Sequence, residues 1–367
     1  APDEIPDTAS WVCSTPYLIA SGQQESAEQP KNVILISLDT LRADHLGCYG
    51  YERNTSPNID AFAKDAVLFE RCMSTASWTT PSHMTIFTGL NSSVHRTGRH
   101  EHTRLREGFV TIAEVARKHD YMTAAFTEGH AMRGDLGFYR GFETYSDGFG
   151  VQLKPGSSKR IFKQGADWLE RYGDQPFFLY LHTYEIHGPY EPPSPFFERF
   201  ALSERRRALP GAETKTPEAR AETIALYDAE IAHTDHVFGN FIRRLEALGL
   251  LEDTLIILLS DHGEEFWDHG SLAHGSTLHD EVLHVPLIIR LPGTQPATGR
   301  VERLVALEDV FATVVDVLGF EHTPPKSSRN LFPLMQPGGN GAGYDRKFAS
   351  AAMRNSEDES YIISLQN

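Results

Sequence analysis

Two acidic sites frame the chemistry open to this sequence. Asp39-Thr40 follows the apolar run Asn32–Leu38 (NVILISL), and Asp261-His262-Gly263-Glu264 follows residues 254–260 (TLIILLS). Two further apolar runs end in the same way: residues 122–127 (MTAAFT) lead into Glu128 and His130, and residues 177–182 (FFLYLH) into Glu185 and His187. Carboxylates brought together repel unless a cation sits among them, and aspartates joined by one imidazole form a mostly oxygen ligand set for a divalent ion. A second constellation is Thr79-Thr80-Pro81-Ser82-His83, followed by MTIFTG. Proline suits the first turn of a helix and glycine the position past its end, so Pro81 and Gly89 bracket a short helix with Thr79 and Thr80 at its positive pole. A hydroxyl there faces oriented N–H groups that favour its alkoxide and any bound oxyanion.

Those groups need a frame that collects them. The four runs, with a fifth at residues 286–291 (PLIIRL), are continuously apolar rather than alternating, as in strands covered on both faces of a parallel sheet. Between them lie helical patterns over residues 57–66, 111–119, Ser158–Tyr172 and 217–248. In the last of these Ile224, Tyr227, Ile231, Val237, Phe238, Phe241, Ile242 and Leu245 recur at helical spacing. Alternating strands and helices predict an α/β fold with a large mostly parallel sheet flanked by helices. Ligands in such sheets bind outside the carboxyl ends of the strands, and every run except the fifth delivers a carboxylate or a histidine there. Residues 1–30 read as an N-terminal arm and 31–323 as the main domain. Residues 324–367 read as a Pro- and Gly-rich linker with a small C-terminal antiparallel unit of two strands, 347–353 and 361–365.

Composition narrows the function classes. In 367 residues, 34 Lys and Arg face 50 Asp and Glu, a net charge of −16, which argues against a nucleic-acid-binding surface. The 40% hydrophobic content matches an ordinary globular protein. The longest apolar runs, 255–259 and 285–289, fall far short of the ~20 residues that span a bilayer. Cys13, Cys48 and Cys72 are too few for a disulfide framework, although one pair involving Cys13 stays open. The opening Ala-Pro-Asp is compatible with a removed leader, which favours a periplasmic or secreted location over the cytoplasm.

These residues resemble the sulfatases and, more widely, the alkaline phosphatase superfamily. The stretch NVILISLDTLRADHLGCYGYERNTSPNIDAFAKDAVLF is similar to the family's N-terminal strand, metal aspartate and first helix. TTPSHMTIFTG is similar in spacing to the sulfatase signature Cys/Ser-x-Pro-Ser-Arg ending in Thr-Gly. Further matches are HTYEIHGPYEPP, YDAEIAHTDHVFG, SDHGEEF and HGSTLHDEVLHVPLIIRLPG, in family order from residue 31 to 293. The resemblance implies Asp39, Asp261 and His262 as metal ligands and Thr79 at the nucleophile position; Thr40 and Thr79 complete the expected metal site. It sets His130, His187 and His274 near the substrate's oxyanion or leaving group, and Glu128 and Glu185 on the substrate. In a two-metal variant Glu128, His130 and Glu185 would instead hold a second ion; one ion is favoured. Three departures stand out. Thr79 replaces the Cys or Ser that becomes formylglycine, His83 replaces the signature's Arg, and Thr40 replaces a second aspartate, while the usual Lys positions read Glu128 and His274.

A threonine cannot become formylglycine, so the hydrated-aldehyde route to sulfate release is closed, whereas phosphoryl branches of the superfamily use Thr. The expected activity is a metal-dependent hydrolysis of phosphate diesters or phosphonate monoesters, small-molecule substrates attacked by Thr79 to give a phospho-enzyme. A divalent metal activates the hydroxyl; Zn or Mn is favoured for this ligand set, and Ca or Mg stays open. His274 and His187 are the proton donors. His83 orients Thr79, touches the phosphoryl oxygens or binds a second metal. His182 and His269 have no positional support and receive no role. The competing readings are a phospho-alcohol transferase, a sulfate-ester hydrolase and an inactive sulfatase-like binding protein.

Overall fold

A computed structural model describes residues 31–97, 104–148, 158–204, 216–294, 297–336, 344, 346, 349–354 and 361–366. The arm expected over residues 1–30, with Cys13, lies outside the described residues. The first half forms β1 (Asn32–Leu38), α1 (Pro57–Lys64), β2 (Val67–Met73), α2 (Thr79–Thr88), α3 (Ser92–His95), α4 (Ile112–Lys118), β3 (Met122–Phe126), β4 (Thr144–Ser146), α5 (Ser158–Tyr172) and β5 (Phe177–Thr183). The second half forms α6 (Phe196–Phe200), α7 (Pro217–Ala247), β6 (Thr254–Leu259), β7 (Glu265–Phe266), β8 (Leu272–Ala273), α8 (Asp280–Leu283), β9 (His284–Arg290), β10 (Gly299–Ala306), α9 (Asp309–Val317), α10 (Phe332–Met335), β11 (Ala349–Arg354) and β12 (Tyr361–Gln366).

Eight strands make one sheet in the order β10-β2-β9-β6-β1-β5-β3-β4. β1 lies at its centre, parallel to β5 and β6, with Ser37 in register with both His182 and Leu259. Alternation along β1 sends Val33 and Leu35 into one core layer with Ile86, Phe87 and Phe311, and Ile34 and Ile36 into the other with Phe62, Phe162 and Phe238. Both layers are needed because every residue of β1 is buried. The sheet is thus mostly parallel and flanked by helices, as expected.

Three strands of this sheet are not evident from the sequence. β4 has only three residues, and β10, an edge strand, carries an exposed half (GRVER) that hides it from an apolar-run reading. β2 is broken by the solvent-facing pair Glu70-Arg71. β9 runs antiparallel to both β2 and β6. Its reversal explains why the fifth apolar run delivers no polar group after its last residue: that end lies at the opposite edge of the sheet.

The C-terminal pair β11–β12 is the small antiparallel unit. The boundary at residue 324 does not open a second core, because Leu331, Leu334, Met335 and Tyr344 pack into the main one. Among the described residues Cys48 and Cys72 form no disulfide.

Candidate active centre

β1 and β6 end side by side; Asp39 directly follows β1, and Asp261 follows β6 after Ser260. The Asp39 amide still donates to the Thr183 carbonyl of β5 at 3.1 Å, so the carboxylate emerges straight from the ladder. Ser74 and Ser82 both donate to the Asp261 carbonyl, at 2.5 and 2.7 Å, which ties this corner to α2. Metal-binding atoms of Asp39, Asp261 and His262 lie within 4.8 Å of one another, and all three residues are fully buried. α2 starts at Thr79, as the Pro81 and Gly89 positions predict, and Gly89 closes it at φ 67°. The Thr79 hydroxyl donates to Asp39 Oδ2 at 3.2 Å and lies 3.3 Å from His262 Nε2.

Thr40 takes φ 57°, a left-handed conformation unusual for a β-branched residue. Tyr227 of α7 holds it there: the phenol donates to the Thr40 carbonyl at 2.8 Å and accepts from the Arg42 amide at 2.9 Å.

The electrostatics ask for a cation. Among the described residues Asp39 Oδ1, Thr40 Oγ1 and both carboxylate oxygens of Asp261 are buried without a hydrogen-bond partner, as are both nitrogens of His182. Burial, with Asp39 alongside, raises Asp261 to about 6. Burial lowers His262 to about 3 and His83 and His182 to about 4, so these imidazoles are neutral. The Gly263 carbonyl, 2.9 Å from His262 Nδ1, can only accept, so that nitrogen carries the proton and Nε2 turns its lone pair to the carboxylates. Unsatisfied oxygens and an available imidazole lone pair fit a divalent ion.

The remaining expected residues divide between several places. His274 lies against the centre, its ring 4.4 Å from that of His262 and 5.0 Å from that of His187. Its Nδ1 is 2.9 Å from Glu264 Oε1. Burial opposes charge on His274, but Glu264 outweighs it and raises the imidazole to about 9. His83 contacts the Thr79 carbonyl through Nδ1 at 2.9 Å and Ser37 Oγ through Nε2 at 3.0 Å. The carbonyl makes Nδ1 the donor and leaves Nε2 to accept from Ser37, so neither nitrogen is free for a second metal. His130 is exposed, edge-on to Tyr184 at 5.8 Å between ring centres.

Two residues expected at the substrate have protein partners. Glu128 accepts from the Thr183 hydroxyl at 3.1 Å and the Tyr184 amide at 3.0 Å, so its carboxylate braces the exit of β5. Glu185 accepts from the Ser158 amide at 2.6 Å and contacts His233 of α7 at 3.2 Å, which places it in a different cluster. The alternative second metal site of Glu128, His130 and Glu185 does not assemble. Conversely, His182 joins the centre, with Nε2 3.5 Å from Asp39 Oδ2. The signal for it was a lone histidine closing an otherwise apolar buried strand. Glu264, within the quoted SDHGEEF motif, gains its role only through its contact with His274.

The pattern of the sulfatase family matches residues 31–320. The chain belongs to the sulfatase family. It is a hydrolase of sulfate or phosphoric esters, in a family that generally uses a divalent metal ion. This sulfatase-family chain is 24% identical over 357 residues to an arylsulfatase of Clostridium perfringens, covering 78% of this chain and 74% of that one. Its fold superposes on the phosphonate monoester hydrolase of Agrobacterium radiobacter with a TM-score of 0.75 at 25% identity, over 90% of this chain and 82% of the other. The phosphonate monoester hydrolase of Silicibacter pomeroyi shares the fold with a TM-score of 0.74 at 23% identity, over 89% and 80%. Among the described residues no helix of this sulfatase-family protein is long and apolar enough to cross a membrane.

Proposed function

We propose that the protein hydrolyses phosphate diesters or phosphonate monoesters of small alcohols and phenols, with Thr79 as nucleophile. One observation carries this reading: the Thr79 hydroxyl, at the first residue of α2, bonds to Asp39 and touches His262. Asp39, Asp261 and His262 would hold a divalent ion, Zn or Mn for a set that includes imidazole, with Thr40 and Thr79 beside it. When bound, such an ion favours the Thr79 alkoxide and polarises the P–O group.

Thr79 Oγ attacks phosphorus in line while its proton moves toward Asp39 Oδ2. The bond from phosphorus to the leaving oxygen breaks, and His274 gives that oxygen a proton from Nε2. Its Nδ1 is engaged by Glu264, which holds the ring in place and keeps it charged before the transfer. Water then attacks the phospho-Thr79 phosphorus and gives a proton to His274, the P–Oγ bond breaks, and the proton held by Asp39 returns to Thr79 Oγ. His83, clamped between the Thr79 carbonyl and Ser37, positions the start of α2. The likeness to a phosphonate monoester hydrolase supports this substrate class.

The arylsulfatase relative favours a second reading, sulfate-ester hydrolysis at the same centre. Matched aryl phosphodiester, phosphonate and sulfate esters, assayed with and without chelator, separate the two. A chelator-sensitive kcat/KM highest for the phosphorus esters is expected, and a higher value for the sulfate ester overturns the assignment. Product transferred to an added alcohol indicates a phospho-alcohol transferase, and no turnover of any ester indicates a binding protein.

A further inference from the structure

A second constellation of metal-binding side chains joins the segment after β5 to α7. Glu230 and His233 stand three residues apart in α7, a Glu-x-x-His spacing that sets a carboxylate and an imidazole on one helix face. Glu185 meets them from the segment after β5. One metal-binding atom from each residue lies within 4.8 Å of the others.

Each carboxylate is oriented by a backbone amide. Ser158 N donates to Glu185 Oε2 at 2.6 Å, and Glu191 N donates to Glu230 Oε1 at 2.7 Å. Glu185 Oε1 then faces His233 Nδ1 at 3.2 Å. Among the described residues Glu230 Oε2 has no hydrogen-bond partner, although the residue is only 3% exposed. A buried carboxylate oxygen with no donor is costly, and this arrangement is the one expected of a ligand whose other oxygen is held by its outer partners.

We propose that Glu185, Glu230 and His233 form a second metal site, separate from the Asp39–Asp261–His262 centre, for a transition-metal dication and above all Zn2+. Two carboxylates and one imidazole match zinc, whereas Ca2+ takes six to eight oxygens. Three protein ligands leave a position for water or an anion. That position adjoins a cavity of about 1200 Å³ that Glu185 and His233 help to line, together with Lys163 and Arg244. An ion held here links the segment bearing His187 to α7.

The metal-stripped chain is titrated with Zn2+ by calorimetry, and bound zinc is counted by elemental analysis after desalting. Wild type should bind two equivalents, Asp39→Asn/Asp261→Asn one, and Glu230→Gln and His233→Asn one each. Wild-type zinc content in both Glu230→Gln and His233→Asn overturns the proposal, as does loss of all zinc in folded Asp39→Asn/Asp261→Asn. If the α7 variants fail to fold, Co2+ added to the Asp39→Asn/Asp261→Asn chain decides. A visible d–d absorption saturating at one equivalent supports the site, and its absence ends it.

Discussion

Glu264 Oε1 lies 2.9 Å from His274 Nδ1, while the Tyr190 phenol donates to the other oxygen of the same carboxylate at 2.9 Å. This relay fixes the imidazole ring and singles it out electrostatically. The neighbouring His262, His83 and His182 are driven neutral by burial, whereas His274 is held charged at neutral pH.

The first prediction follows from that charge. The His274 pKa, about 9, exceeds the ordinary 6.5, so its contribution to stability is fully present below pH 6.5 and is lost as pH rises through 9. A leaving-group acid with this pKa gives a kcat that falls on the alkaline side near 9. Glu264→Gln removes the stabilising charge and leaves burial dominant, so the alkaline limb should move to lower pH. A pH–rate profile unchanged in that variant removes His274 from the acid role.

Asp39→Ala and Asp261→Ala should each remove the metal of the active centre and its activity, because each deletes a charge from a site with few ligands. Elemental analysis should show one equivalent lost per chain. Full occupancy in both variants refutes the ligand assignment.

Thr79→Ala should fold and bind metal yet lose turnover by several orders of magnitude, while Thr79→Ser retains part of the rate. Mass spectrometry of a quenched reaction should place the phosphoryl or phosphonyl group, with its remaining substituent, on Thr79. A residue serving only the helix start would cost about 1 kcal/mol of stability on replacement and little rate.

His182 separates ligand from filler. Its nitrogens make no hydrogen bond among the described residues, so His182→Leu should not destabilise the metal-free chain. If the imidazole supports the metal, affinity falls by roughly 10- to 100-fold. Calorimetric titration of the variant measures both, and unchanged affinity assigns His182 to packing alone.

Tyr227→Phe leaves the Thr40 carbonyl and the Arg42 amide without their buried partner, a loss of about 1–3 kcal/mol in unfolding free energy. The strained Thr40 turn relaxes with it, so kcat should fall although Tyr227 touches no substrate. A variant as stable and active as wild type shows that Thr40 holds its conformation unaided.

The sequence by itself determined the strand ends and what they carry. Runs such as NVILISL and TLIILLS are local patterns, and parallel neighbours present their carboxyl ends at one edge, so Asp39, Asp261 and His262 had to converge. The TTPSH segment and Gly89 likewise specify where a helix starts and stops, because Pro and Gly act through their own backbone. Tertiary structure decided what happens one step beyond. Glu185 and His187 are two residues apart, yet one turns to His233 and the other to His274. Their destinations depend on how the β5 exit crosses α7, a helix distant in sequence. Glu128 is taken up by Thr183, and Glu264 matters only because His274 returns to it from ten residues away. The antiparallel course of β9 was equally hidden, since an apolar run reads alike in either direction and its hydrogen-bonding partners alone give it one.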